Sequence, residues 1–286
     1  MILKNSFLTA TFSTKGAELK SLLTDSGKEL IWQADPQYWA KSSPVLFPIV
    51  GALRNDSYTY EEQEYSLPRH GFARDLEFNV AYQTEDEICF ELMQTDATKA
   101  IYPFDFIFHI IYNLMDTELL CTYKVFNPSS KDLIFSLGAH PAFALGNTKE
   151  EFENYSIFFP EDISLECTVL ENGLISDETK NIVLKNKSLP MSYELFYNDA
   201  LVIEELNSNK LYIRNTMDEA ELEFSFNDFP YFGIWSAKDA NFVCLEPWCG
   251  IADAVDHNQE ITEKEGMITL GKHQAFERSW KINYKE

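Results

Sequence analysis

The stretch Phe104-Asp105-Phe106-Ile107-Phe108-His109-Ile110-Ile111-Tyr112 carries an aromatic residue or isoleucine at every even position. A period of two belongs to a β-strand, whose successive side chains point to opposite faces, so this run reads as a strand with one strongly apolar face. A short turn at Asp116-Thr117 leads into a second such run, Leu119 to Phe126, which stops at Asn127-Pro128-Ser129-Ser130. Working outward, the same signals predict hairpins from Tyr58–Tyr60 with Glu64–Leu67 and from Glu77–Tyr82 with Ile88–Met93. Further strands are expected at 133–137, 155–159, 200–206, 210–215, 221–226, 242–245 and 276–284. Helical signals are few: Thr95 to Ala100, stopped by Pro103, and Gln259 to Glu265. Many short strands with almost no helix argue for an all-β chain, a large antiparallel sandwich. No linker, low-complexity stretch or fixed-period repeat divides residues 1–286, so one domain is expected.

Composition bounds the partners. The 286 residues are 45% hydrophobic, enough for a large core, and the net charge is −23 from 46 acidic and 23 basic residues. Without a Lys/Arg cluster, neither nucleic acid nor an anionic membrane surface is an expected partner. The acidity reads as a solubility feature and weakly disfavours an anionic substrate. Cys89, Cys121, Cys167, Cys244 and Cys249 are odd in number and form no Cys-x-x-Cys pair, so reduced, buried thiols are expected. The start of the chain has no secretory pattern, and no apolar run approaches the ~18–20 residues that span a bilayer. A cytoplasmic protein is the resulting expectation. A homodimer is compatible with the sequence, with no interface legible.

Three separated segments share one kind of chemistry: Arg69-His70-Gly71-Phe72-Ala73-Arg74, Gly138-Ala139-His140-Pro141-Ala142-Phe143 and Cys244-Leu245-Glu246-Pro247-Trp248. Each sets one imidazole or carboxylate among Gly, Pro and aromatic residues. Two histidines and a carboxylate move protons at neutral pH without a metal or an organic cofactor. The surrounding rings suit the apolar face of a sugar. His70 and His140 both stand where a strand ends, the place where a rigid sheet presents site residues. Glu246 ends an apolar strand, so partial desolvation should raise its proton affinity. By contrast, His109 reads as structural, and His257 and His273 read as exposed. No dinucleotide or phosphate-loop glycine pattern, no Gly-x-Ser-x-Gly and no metal-ligand spacing is present. Composition leaves room for a glycoside hydrolase working through two carboxylates.

These motifs, in this order and spacing, resemble the aldose 1-epimerase (galactose mutarotase) family, most closely its LacX-like branch. The resemblance runs from about Gly16-Ala17-Glu18-Leu19-Lys20-Ser21-Leu22 to the C-terminal strand. Its most specific parts are Pro44-Val45-Leu46-Phe47-Pro48-Ile49-Val50-Gly51 with Leu53-Arg54-Asn55, the 69–74 segment, and Leu245-Glu246-Pro247-Trp248-Cys249-Gly250-Ile251-Ala252-Asp253. It implies a β-supersandwich that binds one monosaccharide on a sheet face and interconverts its α and β anomers without a cofactor. By motif match it implies Glu246 as general base, His140 as acid, His70 near the ring oxygen, and Arg54 and Asp199 on sugar hydroxyls. It also brings Arg74 and Trp248 to the substrate.

The chain departs from the galactose enzymes at Ala139 before the acid histidine, at Pro141-Ala142 after it, and at Pro247-Trp248 after the base. These departures bear on the sugar more than on the reaction. The Arg69–Arg74 segment also resembles the hexose-6-phosphate branch, where arginines grip phosphate. A free hexose such as galactose or glucose is the favoured substrate. A sugar phosphate and a non-catalytic sugar-binding protein are the alternatives.

Overall fold

The computed structural model describes residues 1–217 and 220–285. The alternating run enters its strand, Ile107–Met115, three residues later than its pattern begins, with Phe108, Ile110, Tyr112 and Leu114 buried, Ile107, His109, Ile111 and Asn113 half-buried, and Met115 exposed. Asp116, with φ of 49°, turns the chain at once into the antiparallel strand Glu118–Phe126. These two lie inside a nine-stranded antiparallel sheet. Its order is Ser188–Pro190, Tyr155–Phe158, Lys210–Asn215, Glu221–Phe226, Ala275–Lys285, Glu118–Phe126, Ile107–Met115, Glu87–Met93 and Asn79–Gln83.

An eight-stranded antiparallel sheet carries the chemistry. Its order is Leu174–Val183, Ser164–Glu171, Leu201–Ile203, Tyr231–Trp235, Phe242–Trp248, Gly138–Ala139 and Val45–Leu46, with Ala142–Ala144 also pairing with Phe242–Trp248. The two sheets face each other through aromatic pairs. Phe226 meets Phe232 at 4.4 Å between ring centroids, Phe224 meets Phe143 at 5.5 Å, and Phe108 meets Phe47 at 4.6 Å. Aromatic faces of this size contribute the largest share of area removed from water.

The strand Phe242–Trp248 is buried at every position. Val243 and Leu245 belong to the core between the sheets, whereas Cys244 and Trp248 pack in separate clusters on the opposite face. Glu246 shares that second face by the strand's period of two. A carboxylate is thereby held on a rigid, two-sided buried strand rather than on a loop.

Several expectations change. Gln259–Glu265 is not a helix: Gln259 has φ of 71°, and its backbone is spent on the edge of Ser57–Tyr60 through the bonds Thr59 N–H to Gln259 O and Ile261 N–H to Thr59 O. The predicted helix near Thr95 is present as Asp96–Ile101, capped by the Thr95 hydroxyl accepting from the Thr98 N–H. A short helix, Lys149–Glu153, and the long hairpin of Ser164–Glu171 with Leu174–Val183 carry no strong sequence signal. The predicted strand 200–206 shrinks to Leu201–Ile203, and 242–245 extends to Trp248. All five cysteines are buried and unpaired. Among the described residues, no helix is long and apolar enough to cross a membrane.

Trp248 explains two glycines. A Cβ at Gly233 would stand 2.4 Å from its Cζ2, and one at Gly138 would stand 2.6 Å from its Cδ1. Both glycines lie on strands flanking Phe242–Trp248, so the indole lies flat across the sheet only where neighbouring side chains are missing. Gly233→Ala should therefore overpack this layer and cost about 1–3 kcal/mol. Urea unfolding of the variant checks this, and an unchanged midpoint would show that the indole has somewhere else to go.

Candidate active site

One cleft of about 200 Å³ opens on the outer face of the eight-stranded sheet. It collects His70 and Arg74, His140, Asp199, and Glu246 with Trp248 from four separate places in the chain. This free volume falls below the range of drug-sized sites and suits a single small ring.

Glu246 is 2% exposed and His140 is 7% exposed. The His140 Nε2 lies 3.2 Å from the Glu246 Oε2. Burial pushes the Glu246 carboxyl well above the usual range, with Arg69 and the Trp248 indole pulling back and Asp199 adding to the rise. Burial likewise lowers His140, to about 3; a backbone hydrogen bond opposes the shift, while Arg74 and Arg69 reinforce it. Both displacements have one cause, the cost of charge out of water. Both shifts favour the uncharged forms, a protonated carboxyl beside a neutral imidazole. The ion-pair tautomer differs by a single proton transfer across the 3.2 Å contact. The roles that the resemblance implies, Glu246 as base and His140 as acid, call for a carboxylate beside an imidazolium, whereas burial favours the uncharged form of each.

Packing fixes the ring of His140. Trp39 stacks on it at 4.9 Å and 25°, and Trp235 meets it edge-on at 5.7 Å. The Nδ1 of His140, the Oε2 of Glu246 and the Nε1 of Trp248 are buried and make no well-formed hydrogen bond within the protein, although the backbone at His140 and the indole beside Glu246 stand near enough to bias the two groups. Buried polar atoms are rarely left unpaired, and three of them converging on one cleft describe a surface built for a polar ligand.

His70 is held differently. It has φ of 68° and the following Gly71 has φ of 69°. Left-handed backbone at a non-glycine residue costs about 1–2 kcal/mol. Two hydrogen bonds to Gly51 hold it: the His70 N–H donates to the Gly51 carbonyl at 2.8 Å, and the Gly51 N–H donates to the His70 Nδ1 at 3.1 Å. Because Nδ1 accepts, the ring proton of the neutral imidazole sits on Nε2. Burial, His140, Arg74 and Arg69 all lower the proton affinity of His70, which keeps it in this neutral, donating form. Gly71 is obligatory here, since a Cβ would stand 2.3 Å from the Phe47 carbonyl oxygen.

Around this centre, Asp199 lies 3.9 Å from Arg69, and the Arg74 guanidinium donates to the Arg69 carbonyl at 2.7 Å. Arg54 does not line the cleft. Its Nη1 donates to the His257 carbonyl at 2.8 Å and its backbone N–H to Asp253, so its reach is spent on the 253–257 segment. Trp39, Trp235, Arg69 and the hairpin residues Leu170, Gly173 and Ile175 do line the cleft. The sequence left Trp39, Trp235 and the hairpin outside the site. The tryptophans stand singly with no motif around them, and the hairpin reaches the cleft only through tertiary folding.

Among the described residues, His140, Cys244 and Glu246 place donor atoms within 4.8 Å of one another, close enough to surround a metal ion. Burial and Glu246 raise the Cys244 thiol well above its ordinary value.

Comparison with known proteins identifies the family and the fold. The family model for aldose 1-epimerase matches residues 1–274. Protein LacX (plasmid) of Lactococcus lactis subsp. lactis is 33% identical over 291 aligned positions, covering 98% of this chain and 97% of the relative. A galactose mutarotase related enzyme from Lactobacillus acidophilus superimposes with a TM-score of 0.94 at 34% identity, covering all of this chain and 97% of that one. A galactose mutarotase-like protein from Lactobacillus casei superimposes with a TM-score of 0.92 at 26% identity, covering 100% and 99% of the two chains.

Glu246→Gln gives a test of the neutral pair through stability. A carboxyl whose folded pKa is raised stabilises the fold below its unfolded pKa and loses that contribution as pH rises through the folded value. Wild type should therefore lose stability relative to the isosteric, uncharged Gln variant as pH rises from about 4.3 into the neutral range. Parallel pH dependence of the two in urea melts would mean that Glu246 ionises at its ordinary value.

Proposed function

The chain belongs to the aldose 1-epimerase family and is an isomerase, and from that premise we propose that it interconverts the α and β anomers of a free hexose, galactose or glucose. The observation that supports this reading most is the desolvated contact of Glu246 with His140 at the base of a cleft sized for one ring. In the reactive tautomer, Glu246 is a carboxylate and His140 an imidazolium. Glu246 takes the proton of the C1 hydroxyl while His140 gives its proton to the ring oxygen. The bond between C1 and the ring oxygen breaks, and an open-chain aldehyde forms. Rotation about C1–C2 and the same transfers in reverse close the ring on its other face. One proton leaves the sugar and one joins it in each direction, so nothing is oxidised and no group is transferred.

The other residues bind and orient. The Nε2–H of His70 donates to the ring oxygen and holds it near His140. The indole N–H of Trp248 and the Asp199 carboxylate hydrogen-bond ring hydroxyls, and Arg74 steadies the 69–74 segment through the Arg69 carbonyl. Trp248 is a hydrogen-bond donor rather than a stacking platform in this reading, because its ring is committed to Gly138 and Gly233.

A hexose 6-phosphate is the second reading, favoured by two guanidinium groups, Arg69 and Arg74, on the cleft wall. The free sugar is preferred because Arg69 already faces Asp199 and Arg74 is already engaged with the Arg69 carbonyl.

Exchange of anomers followed by NMR on equilibrated glucose, galactose and glucose 6-phosphate decides between them. Glu246→Gln should cost about 10²–10⁴-fold in rate, the usual contribution of a positioned base. Preferential exchange of the phosphate ester would move the assignment to the second reading. Sugar-dependent spectral shifts without exchange in the wild type would make the chain a binding protein. A bell-shaped dependence of kcat/KM on pH is also expected. Activity should fall in acid as the pair takes a second proton, with His140 titrating toward about 3, and in alkali as Glu246 loses the shared one. An alkaline limb that survives in Glu246→Gln would remove Glu246 from that role.

A further inference from the structure

Behind the cleft lies an ion pair that the reaction does not use. The side chains of Asp253 and Lys264 are fully buried and sit 2.9 Å apart. We propose that this pair is a positioning device that holds His70 in its cleft-facing orientation, acting through the turn at Gly51.

The chain of contacts is continuous. The Lys264 ammonium bridges the Asp253 carboxylate and the Ile251 carbonyl, to which it donates at 2.6 Å. Asp253 grips the 52–54 turn at both ends. Its carboxylate accepts the Arg54 N–H at 2.8 Å, and its own N–H donates to the Ala52 carbonyl at 2.9 Å. The turn is packed without slack against the same segment, since a Cβ at Gly51 would stand 2.4 Å from the Ala252 Cα. Gly51 then makes the two hydrogen bonds that set the backbone and the ring of His70. The Asp253 carbonyl also accepts the Ile175 N–H at 2.9 Å, which ties the hairpin wall of the cleft to the same point.

The energetics point the same way. A buried ion pair is a weak source of stability compared with an apolar pair of the same shape, because desolvating both charges offsets their attraction. What it supplies is direction. Asp253 keeps the Lys264 ammonium beside one oxygen by charge alone, while its other oxygen accepts the Arg54 N–H with the His257 Nδ1 3.3 Å away, and a hydrophobic pair would place none of these groups. Left-handed backbone at His70 persists only where its surroundings over-determine it, and the Gly51 turn is that surrounding.

The consequence for catalysis rests on the reading of His70 given above, whereas the orientation of the ring does not. The test is therefore made on the sugar-free protein, by long-range proton–nitrogen NMR of the histidine rings, with His70 assigned by signal loss in His70→Gln. Wild type should show His70 as the Nε2–H tautomer. In Asp253→Asn and Lys264→Met, the two His70 ring nitrogens should move toward each other as the tautomers mix. The kcat/KM for anomer exchange should fall by roughly tenfold to a hundredfold, the scale of a small misplacement. Lys210→Met is the control for simple destabilisation. It breaks the 3.0 Å Lys210–Glu223 pair on the nine-stranded sheet and should lower Tm with the His70 signals unmoved. If a single variant fails to fold, Asp253→Asn/Lys264→Met, which strands no charge, takes the same measurement. Unchanged His70 nitrogen shifts in a folded variant overturn the proposal. Shifts that move in a protein without anomer exchange uphold the positioning role and overturn the mutarotase reading alone.

Discussion

The approach of Glu246 to His140, out of water, is the constraint on which the rest of the site depends. Two opposite charges 3.2 Å apart attract strongly in a medium of low dielectric, but each also loses its hydration there. Sharing a single proton lets the pair avoid both costs at rest. The surrounding architecture keeps it so. Phe242–Trp248 is buried on both faces, Trp39 and Trp235 cover the imidazole, and Trp248 closes the sheet beside the carboxyl. A carboxylate on a flexible loop would draw in water and return to its ordinary affinity for protons.

The second histidine shows another way to fix a proton. His140 is constrained by packing, while His70 is constrained by backbone geometry, with its tautomer set by a peptide N–H. The difference suits their proposed duties. A group that exchanges a proton is best held by contacts that tolerate both of its forms. A group that only donates is best locked in one form. In a chain of net charge −23, Arg69 and Arg74 supply local positive charge at the cleft; both lower the two histidines, and Arg69 also opposes the rise at Glu246.

Much of this was legible in the residues. The period of two in 104–112 gave the strand class because one face of that run is buried and the pattern has nowhere else to fit. His70, His140 and Glu246 stood out because each is a single titratable group set between Gly, Pro and apolar residues. Arg54 misled for a physical reason. A guanidinium near a motif reads as a ligand-binding group, but whether its long side chain reaches the cleft or a neighbouring carbonyl is decided by tertiary packing. Lys264 falls within the helix expected over Gln259–Glu265, a stretch whose one apolar residue is the buried Ile261. Nothing local announces that this lysine is buried against a carboxylate eleven residues earlier in the chain. Trp39 and Trp235 were invisible for a similar reason: a lone tryptophan is core until a cleft is shown beside it.

The pair's proton count also links folding to chemistry. Folded, Glu246 and His140 hold one proton from about pH 3 upward, until the raised carboxyl finally ionises. Unfolded, the same two groups hold two protons below about pH 4.3, one between about 4.3 and 6.5, and none above. Where the unfolded chain binds more protons, stability rises with pH, and where it binds fewer, stability falls. The pair's contribution is therefore greatest between about pH 4.3 and 6.5, and it declines on either side. The one-proton state that chemistry needs extends beyond that window in both directions, so the protein works at neutral pH by carrying a pair that its fold must hold against ionisation. Packing of the tryptophans and of the two sheets supplies that hold, with Glu246 on a strand buried at every position and His140 between two short buried strands, Gly138–Ala139 and Ala142–Ala144.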